Sequence, residues 1–175
     1  MRGDLAIHAR LLLRPRGIIG LVGTIAAASA LAATYLAWYE VSVDVAMLGS
    51  SQDTAVASLA GWQAHPWGWL APAVSIVAVI AAIGVAIDRP ARSAGRIQLG
   101  CGSVLASIAA LGALVLPPVS RFDIAGSRLR ELAGLAERLP SDVEMTFATT
   151  TAAGLWVMLA AAALLVASGL AERQL

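Results

Sequence analysis

Four long apolar runs dominate the pattern of hydrophobic and polar positions along the chain. Each run approaches the roughly 20 residues that a helix needs to cross the hydrocarbon core of a bilayer. None of the four contains a charged residue. The predicted spans are 17–39, 66–87, 97–116 and 151–170. The sequence therefore predicts an all-α membrane protein built as a four-transmembrane-helix bundle.

The segments between the spans differ in length and pattern. They are an N-terminal segment 1–16, long loops 40–65 and 117–150, a short loop 88–96 and a tail 171–175. In the first long loop, Val41, Val43 and Val45 alternate with polar residues, which is typical of a half-buried strand. Residues 53–59 form a weaker strand candidate that returns beside it.

The second long loop adds two more predicted elements. Residues 127–139 follow a helical pattern that starts at Ser127 and stops before Pro140. Residues 142–147 alternate again, with Val143, Met145 and Phe147 on one side. The two long loops are therefore expected to form a small extracytoplasmic cap of two or three strands and one amphipathic helix.

Charge placement predicts the orientation. Eight Arg and three acidic residues lie in 1–16, 88–96 and 171–175, whereas four Arg and eight acidic residues lie in the two long loops. Loops rich in Arg stay in the cytoplasm, so both termini are expected to be cytoplasmic and the chain to lie in the cell membrane. One alternative is a signal peptide cleaved after Ala30-Leu31-Ala32.

The overall composition agrees with a membrane protein and narrows its chemistry. Hydrophobic residues make up 59% of the 175 residues, and charged residues only 13%. The net charge of +1 gives no general attraction to nucleic acid. The single cysteine, Cys101, cannot form an internal disulfide or a cysteine-based metal cluster.

Small residues mark a candidate packing face on the third span. Gly102, Ala106 and Ala110 recur at intervals of four, which places them one above another on a helix. Helices in lipid associate through close contact at such residues, so this face is a candidate contact with another helix or with a partner. Leu105 lies on a different face and is expected to matter less.

A tryptophan cluster precedes the second span. Trp62, Trp67 and Trp69 are expected to anchor the chain at the membrane interface, together with Trp38 and Tyr39 at the end of the first span. The same cluster is a candidate patch for a partner or for lipid.

Candidates for chemistry are few. The candidates for acid–base catalysis are carboxylates of the long loops, such as Glu40, Asp44, Glu131 and Glu144. His65 has no second ligand nearby in sequence for a zinc site. No catalytic residue, cofactor or metal site is therefore predicted, and the chain is not expected to be an enzyme.

In layout the chain resembles small four-helix membrane proteins of actinobacteria, among them the tryptophan-associated membrane proteins. The resemblance lies in the Arg-rich start, in Trp38-Tyr39 and in Gly154-Leu155-Trp156. The long loops also resemble those of claudins, without their paired cysteines. The resemblance implies a non-enzymatic accessory or assembly subunit of a larger cell-envelope membrane complex. Two alternatives are a small permease or lipid-handling protein in the form of a homo-oligomer, and a membrane-surface enzyme that uses loop carboxylates.

Overall fold

The computed structural model describes residues 15–47, 50–87, 93–119 and 143–174, together with residues 122, 131, 134 and 138. In chain order the elements are α1 (Pro15–Ala33), β1 (Ala37–Met47), β2 (Ser50–Ala60), α2 (Gly61–Ala64), α3 (Leu70–Ala86), α4 (Ala94–Leu114), β3 (Val143–Thr151) and α5 (Ala153–Gln174). The amphipathic helix predicted over 127–139 lies outside the described residues.

The long helices pack side by side as a ring. Helix α1 contacts α3 and α5, and α4 contacts the same two helices from the other side. Three of the described helices, α1, α4 and α5, are long and apolar enough to cross a membrane. Helix α3 is equally apolar but has 17 residues, which corresponds to about 26 Å at a rise of about 1.5 Å per residue.

Helix α1 packs against its neighbours through small residues, while its large apolar side chains face outward. Every buried residue of α1 is glycine or alanine: Gly17, Gly20, Gly23, Ala26, Ala27, Ala30 and Ala33. Ile18, Leu21, Val22 and Ile25 of the same helix are exposed. A soluble core would bury the larger side chains instead, whereas close packing through small residues is typical of helices in lipid.

Glycines bring the helix backbones close together at two contacts. A methyl group added at Gly20 of α1 would overlap the backbone of Ala86 in α3. A methyl group added at Gly169 of α5 would lie 2.8 Å from the backbone nitrogen of Leu99 in α4. The bundle therefore depends on residues without a side chain at these crossings.

The strands form one antiparallel sheet in the order β2-β1-β3. The residue Val43 of the central strand β1 pairs with Thr54 of β2 and with Phe147 of β3. Val41 and Val43 are buried, while Glu40, Ser42 and Asp44, which alternate with them, are only half-buried. This confirms the predicted strands and their alternation. The sheet lies at the end of the bundle where α1 and α4 end, and we call this the sheet end. The other end of the bundle, where α1 and α4 begin, is the opposite end.

Two predicted spans have different bounds in the structure. Helix α1 ends at Ala33 and not at Tyr39, because its last turn tightens: the Thr34 amide and hydroxyl both donate to the carbonyl of Leu31. Helix α3 begins at Leu70 and not at Pro66, since residues 65–69 form turns in which the Gly68 amide bonds to the carbonyl of His65.

The other two predicted spans are shifted by a few residues. Helix α4 covers 94–114 where 97–116 was predicted, and helix α5 covers 153–174 where 151–170 was predicted. Helix α5 continues through Glu172 and Arg173 because a charged residue at the end of an apolar run does not stop a helix.

Candidate functional site

Two adjacent aromatic residues join the sheet to the helices. Trp38 and Tyr39, at the start of β1, are both fully buried. Neighbouring residues of a regular strand point to opposite faces. The pairing of β1 with β2 is irregular between Ala37 and Tyr39, and an irregularity of this kind redirects a side chain. Both rings therefore enter the interior of the protein, so they do not face lipid as the predicted interfacial anchors would.

Each ring donates a hydrogen bond to the end of a different helix. The indole Nε1 of Trp38 donates to the carbonyl of Ala33, the last residue of α1, at 2.8 Å. The Tyr39 hydroxyl donates to the carbonyl of Gly112, in the last turn of α4, at 2.7 Å. The last carbonyls of a helix have no partner within that helix. The two side chains satisfy one such carbonyl each and fix β1 to both helix ends.

Glycines make room for these two rings. A methyl group added at Gly61 would overlap the indole of Trp38, and one added at Gly112 would lie 2.8 Å from the Tyr39 hydroxyl oxygen. Gly61 begins α2, directly after β2. Residues from three separate parts of the chain therefore shape one pocket for adjacent aromatic side chains.

His65 extends this junction. Its Nε2 lies 3.1 Å from the Tyr39 hydroxyl oxygen. Because that hydroxyl gives its only hydrogen to Gly112, Nε2 must carry a hydrogen and donate it. The ring of His65 is stacked on Trp67, with centroids 4.4 Å apart and planes 3° apart. Burial raises the pKa of Tyr39 to about 12, so its hydroxyl keeps its proton at neutral pH.

Exposed aromatic residues surround the same end of the bundle. The predicted patch divides: Trp62 is 44% exposed and Trp69 is 62% exposed, whereas Trp67 is half-buried against His65. Trp156 at the start of α5 and Tyr35 after α1 are exposed as well. Amphipathic rings prefer the boundary between lipid and water, so these positions fit an interfacial belt at the sheet end.

The predicted small-residue face of α4 is not a single face. Gly102 is buried, and a methyl group there would lie 2.9 Å from the backbone nitrogen of Val166 in α5. Ala106 is half-buried and Ala110 is exposed. Leu105, expected to matter less, is fully buried in the core. Gly102 therefore packs inside the bundle, and of the three small residues Ala110 alone points fully outward.

A different set of small residues occupies the outward face of α4. Gly100, Ser103, Ser107 and Ala110 are all exposed, at spacings of three and four. A methyl group added at Gly100 would meet no described atom within 4 Å. The Ser107 hydroxyl donates to the carbonyl of Ser103 at 3.0 Å. We call these four residues the outward α4 stripe.

Among the loop carboxylates, Asp44 of β1 lies opposite Asp53 of β2 in the register of the sheet. Glu40 and Asp44 are half-buried, and Glu131 is exposed. One oxygen of Asp44 is buried and has no hydrogen-bond partner among the residues that the structure describes. Within the described parts of the chain, no group of three or more His, Cys, Asp or Glu residues could hold a metal ion.

No protein-family model matches the chain, and no curated protein is significantly similar to it.

The sequence patterns missed two groups that the structure brings together. One is the junction of Tyr39 with His65, for which the only signal was two aromatic residues directly after an apolar run. The other is a polar cluster of Gln98, Ser168 and Glu172 between α4 and α5. Polar side chains inside an otherwise apolar helix were its available signal.

Proposed function

We propose that the chain is a non-enzymatic accessory or assembly subunit of a larger cell-envelope membrane complex. In this proposal all four long helices cross the membrane, both termini are cytoplasmic, and the sheet forms an extracytoplasmic cap. The charge asymmetry of the sequence supports this orientation, and the exposed aromatic residues support placing the sheet end at a membrane interface.

The outward α4 stripe is the observation that carries the proposal. The outward face of α3 presents large aliphatic side chains, Ile76, Ile80 and Ile83, and the small residues exposed on α5, Ala160, Ala163 and Ala167, carry no polar group. Those side chains suit contact with lipid. The stripe instead offers a shallow surface with two hydroxyl groups, which lets another helix approach closely and form hydrogen bonds. The proposed partner is therefore a transmembrane helix of a larger protein.

Because the partner helix lies close to the stripe, a bulky substitution there should weaken its binding by a measurable amount. A leucine at Ser107 would add bulk to the centre of the stripe and hold the partner helix away. Overpacking of this kind costs about 1–3 kcal/mol in protein cores. A loss of that size weakens association by roughly 5-fold to 150-fold.

Gentle detergent purification from native membranes tests the proposal. The wild-type chain is expected to co-purify with a larger membrane protein in a fixed stoichiometry, and the Ser107→Leu variant with much less of it. Ala28→Leu is the matched control, because Ala28 is a small exposed residue on the outward face of α1, and this variant should retain the partner. Equal retention by both variants would contradict the assignment of the stripe. A homo-oligomer that retains lipid, with no second protein, would favour the lipid-handling alternative instead.

A further inference from the structure

The polar cluster lies where α4 and α5 run antiparallel in close contact. Gly102 of α4 lies opposite Leu165 and Val166 of α5, and Leu99 lies opposite Gly169. At the level of Leu99 and Gly169, Gln98 faces Ser168. About one turn farther toward the opposite end, Gly95 faces Glu172. Three polar side chains are thus gathered in an otherwise apolar helix interface.

The Gln98 amide is buried without a full set of partners. Gln98 is 0% exposed, and its Nε2 has no hydrogen-bond partner in the described parts of the chain. Ser168 donates its only hydroxyl hydrogen to the carbonyl of Leu165 at 2.9 Å, and its oxygen lies 3.5 Å from Gln98 Oε1. Leaving a buried polar group unpaired costs free energy, and more so in the apolar surroundings of a membrane helix. The amide hydrogen therefore needs an acceptor.

Glu172 has the opposite requirement one turn away. Its Oε2 is buried and has no hydrogen-bond partner among the described residues. The carboxylate presses against Gly95, where a methyl group would overlap it. The carboxylate oxygen therefore needs a donor.

We propose that the Gln98–Ser168–Glu172 cluster is a hydration site, which water enters from the opposite end of the bundle. A water molecule accepts from the amide and donates to the carboxylate, so one kind of ligand meets both needs. Gln98 lies against Ser168, and Glu172 lies four residues farther along α5, a rise of about 6 Å. Two hydrogen bonds of about 2.8 Å through one water span a gap of that order.

The glycine at position 23 closes the inner wall of this site. A methyl group added at Gly23 would lie 2.7 Å from Gln98 Nε2. Beyond the site, toward the sheet end, α5 turns only apolar residues inward: Met158, Ala161, Ala162 and Leu165. The hydrated site is therefore a pocket with one entrance and not a passage through the bundle.

Reaction of introduced cysteines with silver ion tests the proposal on the full chain in detergent. Silver ion is small and hydrophilic and bonds to thiols, and the remaining thiols are counted with a maleimide after unfolding. The background is Cys101→Ser, and the reporter is Ser168→Cys. The matched control is Ala82→Cys in α3, because Ala82 is fully buried. Ala82 lies one turn closer to the sheet end than Ala86, which contacts Gly20, so its depth in the bundle is similar to that of Ser168.

Silver ion is expected to react with Ser168→Cys at least about tenfold faster than with Ala82→Cys, since water reaches only the first of the two. Adding Gln98→Leu to the reporter should remove most of that difference. A rate less than tenfold above the control, or a rate that Gln98→Leu leaves unchanged, would overturn the proposal.

Thermal stability provides a second measurement that needs no reporter. If the Gln98 amide is dry and unpaired, an apolar side chain of similar volume is neutral or stabilising. If the amide is bonded to water, Gln98→Leu removes those bonds and lowers the Tm, by about 3 °C or more. An unchanged or raised Tm would overturn the hydration site even if Ser168→Cys failed to fold.

Discussion

Removal of one hydroxyl group tests the junction between the sheet and the helices. In Tyr39→Phe the ring remains, but the carbonyl of Gly112 and Nε2 of His65 both lose the bond to that hydroxyl. Tyr39 is fully buried, so water does not easily replace the lost bonds. Leaving a buried group unsatisfied costs about 1–3 kcal/mol, whereas single hydrogen bonds between membrane helices average only about 0.6 kcal/mol.

The higher range applies here, because two groups lose a hydrogen bond and one of them is a helix-end carbonyl. A change of 1 kcal/mol shifts the Tm of a chain of this size by about 2–4 °C. We therefore expect Tyr39→Phe to lower the Tm by about 3–10 °C. The measurement is the fraction of detergent-purified protein that stays monodisperse after heating.

Tyr35→Phe is the matched control, since the side chain of Tyr35 is 65% exposed. It makes the same chemical change at the same end of the bundle, and its Tm should stay within about 1 °C of the wild type. If the two variants have the same Tm, the Tyr39 hydroxyl does not hold β1 to α4, and the reasoning is refuted.

Other features of the structure lead to three further predictions. Burial raises the pKa of Tyr39 to about 12 from its ordinary 10, so the unfolded chain loses this proton first as the pH rises. The free energy of unfolding should therefore hold below pH 10 and fall between pH 10 and 12, more steeply in the wild type than in Tyr39→Phe. Parallel curves of stability against pH for the two proteins would contradict this. Gly169→Ala should destabilise the bundle by about 1–3 kcal/mol, because the added methyl group would contact the backbone of α4. Gly84→Ala should stabilise the bundle by about 0.5–1 kcal/mol, because a methyl group there would meet no described atom within 4 Å. Thermal unfolding of both variants measures the two changes. In a cysteine-free background, Arg92→Cys in intact cells should resist a reagent that cannot cross the membrane, and its modification would refute the proposed orientation.

The sheet could be predicted because its pattern is local. Val41 and Val43 alternate with polar residues since β1 buries one face, and a period of two is visible in a single short segment. The pairing of β1 with both other strands followed from their apolar faces. The start of β1 was missed by three residues, because an irregular pairing at Ala37 has no signal in the alternation.

The packing face of α4 shows where spacing alone misleads. Residues four apart advance by about 400°, so each step drifts by about 40° around the helix. Over the eight residues from Gly102 to Ala110 the drift reaches about 80°, enough to move from a buried contact to an exposed position. The buried line instead runs through Gln98, Gly102, Leu105 and Ala109, which alternates steps of three and four and so follows one neighbouring helix.

The aromatic pair shows why the junction itself was hidden. Hydropathy places Trp38 and Tyr39 at the end of an apolar run, which is where interfacial anchors also occur. What distinguishes them is a pocket assembled from Gly61 and Gly112, residues far away in the sequence. The exposed Trp156 has the same local setting without such a pocket. A tryptophan beside an apolar run therefore becomes a buried hydrogen-bond donor only where a helix-end carbonyl and distant glycines meet it, and that coincidence is a property of the fold.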